Sequence, residues 1–225
     1  MSDGRAGPSF TDLEKLLRRR RMTRRFDGGP ELDELLGVLD SSLRAPSAGF
    51  SQGVHIVVLS GEDVSTFWSR SGAGAWFEQR SPGVVGAPHV LLVFGDRSEY
   101  VDRYSLDDKR ELGFDSADRW QTPYWLVDAG MVVQNFLLLA EERRWGALFF
   151  GVFGDQDDYF EELGVPASAH CIGAIAVGHR SALDAPSGSP TTRARRQRDE
   201  IIHVGRWLQG HRGPQPLGST DDEQP

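Results

Sequence analysis

Hydrophobic residues recur along this chain with two different spacings. Leucines three or four positions apart predict a helix over residues 13–19 and another over 31–45, and a longer apolar pattern predicts a third helix over 123–144. Apolar residues cover nearly the whole surface of this third segment, so we expect its middle to be buried. Short apolar runs predict strands over 54–59, 89–95, 147–150 and 171–178, the first of them rich in β-branched residues.

Capping and turn residues set the expected limits of several helices. Ser9 or Thr11 can cap the first helix, and Pro30 suits the first turn of the second. Asp155 can cap a further short helix that reaches residues 159–163. Each of these signals is local, so it predicts where a helix begins and not what the helix packs against.

The segments between these elements differ in character. The strands over 54–59 and 89–95 are almost wholly apolar and are expected to be buried on both faces. Between them we expect a short helix over 62–70, followed by a glycine-rich connection with aromatic anchors over 71–86. Residues 98–121 have an irregular pattern, and long irregular segments often cover a binding site or wrap a partner.

The overall pattern predicts one mixed domain of helices and strands. We expect residues 1–8 and 210–225 to be disordered because they are small, polar and rich in glycine or proline. The single domain is predicted over 9–209, with a linker-like stretch over 185–190 inside it.

Composition narrows the classes of function. The chain has 225 residues and a formal net charge of -8. This acidity argues against nucleic acid as the main partner, because such binding needs a broad basic face. No run is apolar and long enough for a signal peptide or a membrane span, so we expect a cytoplasmic protein. A single cysteine, Cys171, excludes an intrachain disulfide.

Basic residues are concentrated against this negative background. Six arginines fall within residues 18–25, and a second basic run contains Arg193 and Arg195. Guanidinium groups match the geometry of phosphate, although such runs are also typical of solvated helix ends and of nucleic-acid patches. Two arginine sets that converge on one anion would explain both runs.

Few other residues indicate chemistry. The histidines lack metal-ligand spacing, so we expect structural roles for them and no metal site. Cys171 is expected in the core. Asp128 lies in an apolar helix and needs a partner if it is buried, for which a structural hydrogen bond is favoured over catalysis. We find no combination of nucleophile and base.

Four stretches in order resemble the FMN-dependent nitroreductase family. Residues 20–26 (RRMTRRF) are similar to the family's RRSxRxF motif, and residues 45–54 (APSAGFSQGV) to its APSAxNSQPW motif. Residues 128–135 (DAGMVVQN) resemble its central helix. Arg193 and Arg195 occupy the places of two spaced basic residues, and residues 201–207 (IIHVGRW) resemble its C-terminal strand.

This resemblance implies a three-layer α-β-α fold of the α+β class with a mainly antiparallel central sheet. It also implies an intertwined homodimer with FMN in the subunit interface. Arg20, Arg21 and Arg24 would then face the phosphate, ribityl chain and pyrimidine edge of FMN. Arg193 and Arg195 would complete the phosphate clamp.

Two further groups follow from the same resemblance. Pro46, Ser47 and Ala48 would approach the isoalloxazine ring from the partner subunit, where their small size allows close contact. A second group would pack on one flavin face and offer a backbone N–H near flavin N5: Phe149, Phe150 and Gly151.

The chain departs from the family pattern at several positions. Met22 stands where a serine often lies near the flavin phosphate, and Phe50 replaces an asparagine that usually hydrogen-bonds the flavin. Loss of that amide removes about 0.5–1.5 kcal/mol of net hydrogen bonding, which does not abolish binding by itself. Phe50 would instead add an apolar wall. Gly53 and Val54 replace the family's Pro-Trp pair.

Three functions follow as hypotheses. The first is an FMN-dependent oxidoreductase that passes a hydride from NAD(P)H to a flat, electron-poor acceptor, such as a nitroaromatic or a quinone, by a ping-pong mechanism. The second is a flavin-binding protein without NAD(P)H turnover, acting as a sensor, store or handling partner. The third, a nucleic-acid binder that uses the first basic run, conflicts with the net acidity.

Overall fold

The computed structural model describes residues 10–154 and 156–207. The chain divides between Pro186 and Ser187 into two compact units. The expected single domain over 9–209 stays a prediction. The division falls inside the predicted linker. The termini predicted to be disordered and the predicted cap Asp155 lie outside the described residues.

The first unit contains seven α-helices and four β-strands among the described residues. In chain order they are α1 (Asp12–Arg19), α2 (Leu32–Ser42), β1 (Val54–Ser60), α3 (Glu62–Arg70), α4 (Gly72–Arg80), β2 (His89–Asp96), α5 (Arg97–Tyr104), α6 (Tyr124–Glu142), β3 (Trp145–Phe150), α7 (Asp157–Glu162) and β4 (Ala169–His179).

The four strands form one antiparallel sheet in the order β1-β2-β4-β3. Strands β2 and β4 lie in the centre, with Leu91 of β2 opposite Val58 of β1 on one side and Ile175 of β4 on the other. The register of β2 and β4 shifts between Val93 and Phe94. The predicted α+β fold with an antiparallel sheet is therefore confirmed.

Helices cover both faces of this sheet, because alternate strand residues point to opposite sides. The first core cluster joins the sheet to α3, α4 and α7; its large aromatic members are Phe26, Phe67, Trp68, Phe77, Phe94, Phe150 and Tyr159. The second core cluster joins the other face to α2 and α6; its members include Leu35, Val38, Leu91, Val133, Phe136 and Ile175. The result is three layers, helix–sheet–helix.

The two apolar strands that looked alike differ in burial. Every residue of β2 is buried, as predicted. In β1 only Leu59 is buried, so the expectation of burial on both faces is wrong for that strand. Strand β1 pairs with β2 alone and forms an edge of the sheet.

The glycine-rich residues 71–86 were also misinterpreted, since most of them form α4. A Cβ atom at Gly74 would lie 1.9 Å from the carbonyl oxygen of Trp68, so glycine allows α3 and α4 to approach closely. Similarly, the first part of the irregular segment over 98–121 is helix α5, which Asp96 caps by accepting a hydrogen bond from the Ser98 amide at 2.9 Å. Sequence periodicity fails here because both helices are short.

Helix ends follow the predictions in part. Thr11 caps α1 in a capping box with Glu14. Pro30 does not lie in the first turn of α2, because Glu31 is the N-cap and the helix begins at Leu32. Residues 201–207 form no strand. None of the helices in the described part of the chain is both long and apolar enough to cross a membrane.

Helix α6 packs directly on the sheet through Gly95. A Cβ atom at this position would lie 2.3 Å from the carbonyl oxygen of Trp125. We therefore expect Gly95→Ala to lower the free energy of unfolding by about 1–3 kcal/mol, as overpacked cores do. Gly37→Ala is the matched control, because a Cβ there meets nothing within 4 Å and alanine favours the helix. Urea unfolding measures both; equal losses would contradict the close packing.

Candidate functional site

The turn that joins α2 to β1 is held by a set of short hydrogen bonds. The Ser47 hydroxyl accepts a bond from the Gln52 amide at 3.1 Å, and the Ser51 hydroxyl donates to the Ala48 carbonyl at 2.7 Å. The backbone is left-handed at Gly49, Phe50 and Gln52, with φ of 61°, 59° and 56°. We call residues 46–52 the small-residue turn.

Asp128 ties this turn to the interior. Its Oδ2 accepts a hydrogen bond from the Ala48 amide at 2.9 Å and another from the Tyr100 hydroxyl at 2.7 Å. The Asp128 residue is only 2% exposed. Burial and the bond to Asp128 raise the pKa of Tyr100, so this phenol stays a donor. The structural role expected for Asp128 is therefore confirmed, and its partners are now identified.

Two residues of helix α5 also contact this turn. Arg103 Nε donates to the Gly49 carbonyl at 2.8 Å. The Tyr104 ring lies so close to Gly49 that a Cβ there would be 2.6 Å from its Cε2 atom. The left-handed position therefore requires glycine for two reasons, its backbone angle and this contact.

A cleft of about 680 Å³ opens beside the turn. Aromatic and polar side chains line it together with one residue of the turn: Ala48, Tyr104, Phe114, Arg119, Trp120, Gln121, Thr122 and Tyr124. Trp120 is the centre of the ring cluster, 4.7 Å from Tyr104 and 5.1 Å from Phe114 between ring centroids. Its indole N–H donates to the Phe114 carbonyl at 3.0 Å, which fixes the ring. Five residues of the 98–121 segment thus line this cleft.

The first basic run continues from α1 into an extended segment beside β3. The Thr23 amide donates to the Ala147 carbonyl at 2.9 Å, and Thr23 is fully buried. Met22 packs against both core clusters, so its side chain serves the core. This pairing gives neighbouring arginines different surroundings.

Asp184 engages two of the predicted phosphate ligands. Its carboxylate forms an ion pair with the Arg21 guanidinium and also accepts a hydrogen bond from the Arg24 backbone amide at 2.8 Å. Arg21 Nη2 donates to the Asp184 carbonyl at 3.0 Å. The Arg21 side chain is therefore committed to an internal partner. Sequence spacing gave no signal for Asp184, which lies about 160 residues away.

Arg20 differs from its neighbours. Its Nη1 atom is buried and has no hydrogen-bond partner among the described residues. A buried guanidinium nitrogen without an acceptor is unfavourable, because its donor capacity is lost from water without replacement. An oxygen-rich anion at this position would supply the missing acceptor.

A model of the nitroreductase family matches residues 17–179, which include both the basic segment and the turn. The chain belongs to the nitroreductase family. No curated protein matches the chain significantly by sequence.

Solved structures share the fold of this nitroreductase-family chain. The nitroreductase CinD from Lactococcus lactis in complex with nicotinic acid is 19% identical, with a TM-score of 0.66 over 85% of this chain and 98% of that one. A nitroreductase from Desulfovibrio desulfuricans, solved in complex with FMN, is 24% identical, with a TM-score of 0.63 over 89% of this chain and 100% of that one. At these identities the likeness establishes a shared fold.

Phe50 of the small-residue turn combines a left-handed backbone with an exposed aromatic side chain. It stands at φ 59° and its side chain is 74% exposed. Asparagine, which the family motif carries here, adopts left-handed backbone more readily than phenylalanine does. A non-glycine residue in this region costs about 1–3 kcal/mol, and such strain is concentrated at functional sites.

The remaining predicted site residues have distinct environments. Phe150 is buried and stacks on Trp68 with ring centroids 5.5 Å apart, so its side chain belongs to the first core cluster. Phe149 packs on the second core cluster, and Gly151 is exposed immediately after β3. Of these three residues, Gly151 alone is exposed. Pro46 is also exposed.

Arg193 and Arg195 lie in the second unit, where both are exposed. Within that unit Arg196 forms an ion pair with Glu200 at 3.7 Å. The proposed contribution of Arg193 and Arg195 to a phosphate clamp stays a prediction.

One group of side chains was missed from the sequence, whereas the position of Cys171 was expected. His55, Asp96 and Glu99 lie close together at one end of the sheet, with 3.9 Å between His55 Nε2 and Glu99 Oε1. Asp96 already caps α5, which gives this group a structural role. Cys171 packs on the first core cluster, and burial raises the pKa of its thiol to about 11, which agrees with the expected core position.

Removal of the Asp184 carboxylate should loosen the basic segment. We expect Asp184→Ala to lower the free energy of unfolding by about 3–5 kcal/mol, because the half-buried Arg21 loses its partner. Asp107→Ala is the control, since Asp107 forms an ion pair with Arg110 while its side chain is 95% exposed. Denaturant unfolding compares the two. A loss below about 1 kcal/mol for Asp184→Ala would show that the pair does not hold the segment.

Proposed function

We propose that this nitroreductase-family chain binds FMN and acts as an FMN-dependent oxidoreductase. The observation that carries the proposal is the buried, unpartnered Nη1 atom of Arg20 within the family's basic motif. Phosphate and ribityl oxygens are suitable acceptors for it. The FMN-bound relative from Desulfovibrio desulfuricans supports the same assignment.

Different arginines would have different tasks at this site. Arg20 would bind FMN directly, and Arg24 would place positive charge near the pyrimidine edge, where a reduced flavin is anionic. Arg21 would hold the segment in place through Asp184. FMN, when bound, supplies the hydride chemistry, so no protein nucleophile is required. Arg193 and Arg195 would complete the phosphate clamp.

We infer that the site is completed in a homodimer. The basic segment contacts the C-terminal end of α6, where Arg19 lies 3.7 Å from Glu141, whereas the small-residue turn is held by Asp128 near the start of that helix. These helix positions are about 20 Å apart at 1.5 Å per residue. A turn from the partner subunit would bring both groups to one flavin.

Exposed apolar side chains support this dimer. Helices α2 and α6 present four large hydrophobic residues to solvent in the single chain, Leu32, Leu36, Tyr124 and Val127, and Leu43 directly after α2 is also exposed. Exposed large apolar side chains mark protein interfaces where they cluster on one surface.

The acceptor would bind in the aromatic cleft. Its Tyr104, Trp120 and Tyr124 rings suit a flat, electron-poor molecule through stacking. CinD structures were solved with nicotinic acid and with 4-nitrophenol, both small aromatic compounds. We propose that NAD(P)H and then a nitroaromatic or quinone-like acceptor use the site in turn, as a ping-pong mechanism requires.

The absorbance spectrum of the purified protein tests the cofactor. We expect a flavin spectrum, or uptake of added FMN, in the wild type. Arg20→Ala should weaken FMN binding by at least about tenfold, because one or two charge-assisted hydrogen bonds are lost. Arg18→Ala is the control, since Arg18 lies over the Phe10 ring at 3.8 Å and is exposed. Colourless protein that takes up no FMN would refute the proposal; equal effects of the two variants would refute the role of Arg20.

Phe50 and Met22 favour a second function, a flavin-binding protein without NAD(P)H turnover. Both residues replace polar family residues while the arginines are retained. Anaerobic mixing of the FMN-loaded protein with NADH or NADPH separates the two functions. We expect rapid bleaching of the flavin absorbance by one of them. Absence of bleaching by either nucleotide would favour the binding protein or a different reductant.

A further inference from the structure

Asp128 is a buried carboxylate that lacks an ionic partner. Among the described residues, no arginine, lysine or histidine forms an ion pair with it, and both of its hydrogen bonds end on the same oxygen, Oδ2. The donors are the Ala48 amide and the Tyr100 hydroxyl. An ionised carboxylate in such surroundings is expensive to bury. A hydrophobic residue would pack more cheaply in an apolar helix, so the carboxylate must serve the groups that it binds.

One of these groups is the backbone of the small-residue turn at its strained part. The Ala48 amide is followed directly by the left-handed residues Gly49 and Phe50. Strained backbone relaxes unless its surroundings hold it. Asp128 holds the beginning of the strained stretch, and Arg103 holds the carbonyl of Gly49 at 2.8 Å.

The other group belongs to the helix that borders the aromatic cleft. Tyr100, Arg103 and Tyr104 all lie on α5; Tyr100 contacts Asp128, Arg103 contacts the turn, and Tyr104 lines the cleft. The carboxylate of Asp128 therefore bridges the turn and α5 through a single oxygen atom. A shift of α5 would change the bond geometry at Ala48.

We propose that Asp128 is a positioning residue that fixes the small-residue turn for the flavin, while Tyr100 of α5 binds the same carboxylate oxygen. This inference rests on the proposed FMN binding. Asp128 is buried and binds the Ala48 amide, so it determines the position of the backbone that would approach the flavin ring. Its removal should therefore affect FMN binding through the turn and leave the arginine segment intact.

Hydrogen exchange of the Ala48 amide tests the positioning role without any cofactor. In Asp128→Ala the amide loses its acceptor, so we expect its exchange in the FMN-free protein to rise at least tenfold relative to the wild type. Tyr100→Phe removes the other donor and leaves the Ala48 bond, so its exchange should change less than threefold. Asp128→Asn retains an acceptor oxygen and should restore most of the protection.

FMN affinity of the same variants tests the functional consequence. We expect Asp128→Ala to raise the FMN dissociation constant about tenfold, whereas Tyr100→Phe lowers the melting temperature but leaves the dissociation constant within threefold. Asp128→Ser, whose hydroxyl is too short to reach Ala48, replaces the alanine variant if that variant does not fold.

The outcomes are distinguishable. Unchanged exchange at Ala48 in Asp128→Ala would overturn the inference, as would fast exchange combined with unchanged FMN affinity. Equal behaviour of Tyr100→Phe and Asp128→Ala would assign the positioning to α5 instead and also overturn it. If the wild type binds no FMN, the proposed function fails, and the exchange result still decides whether Asp128 holds the turn.

Discussion

Close packing of α6 on the central sheet is the constraint on which the site depends. Gly95 allows the helix backbone to approach β2 directly, and the inward side of the helix fills the second core cluster. With α6 held in this way, Asp128 near its start meets the small-residue turn, and Glu141 near its end lies 3.7 Å from Arg19 of the basic run. A single rigid helix thus sets the separation of the two groups that the family resemblance assigns to one flavin.

Much of the fold could be predicted from the sequence, and the exceptions have physical causes. Long periodic segments such as α6 and the central strand β2 were predicted well, since burial dominates their composition. Strand β1 has nearly the same composition as β2 but lies at an edge, and composition cannot distinguish a central from an edge position. Helix α4 was misinterpreted because its sequence is rich in glycine, which is typical of loops. In the structure Gly74 instead permits close contact with α3.

The candidate site was predictable only where motif and structure coincide. The basic run and the turn were found from their residues. From the sequence, however, the same flavin-binding role was predicted for Arg20, Arg21 and Arg24. The structure shows that they differ, because Asp184 binds the Arg21 guanidinium and the Arg24 backbone amide but not Arg20. Asp184 lies about 160 residues away, so no spacing rule could identify it. Likewise, the need of Asp128 for a partner followed from its apolar surroundings, but Tyr100 and Ala48 became known only from the fold.

The fit of Thr23 beside β3 limits how the basic segment can evolve. Gly146 faces Thr23 so closely that a Cβ at Gly146 would lie 2.6 Å from Thr23 Cγ2. Loss or gain of one residue between Arg20 and Phe26 would bring a methionine or an arginine into this small space, and would also direct each guanidinium toward a different neighbour. Substitutions can accumulate at the exposed arginines, but the length of this segment has to be conserved.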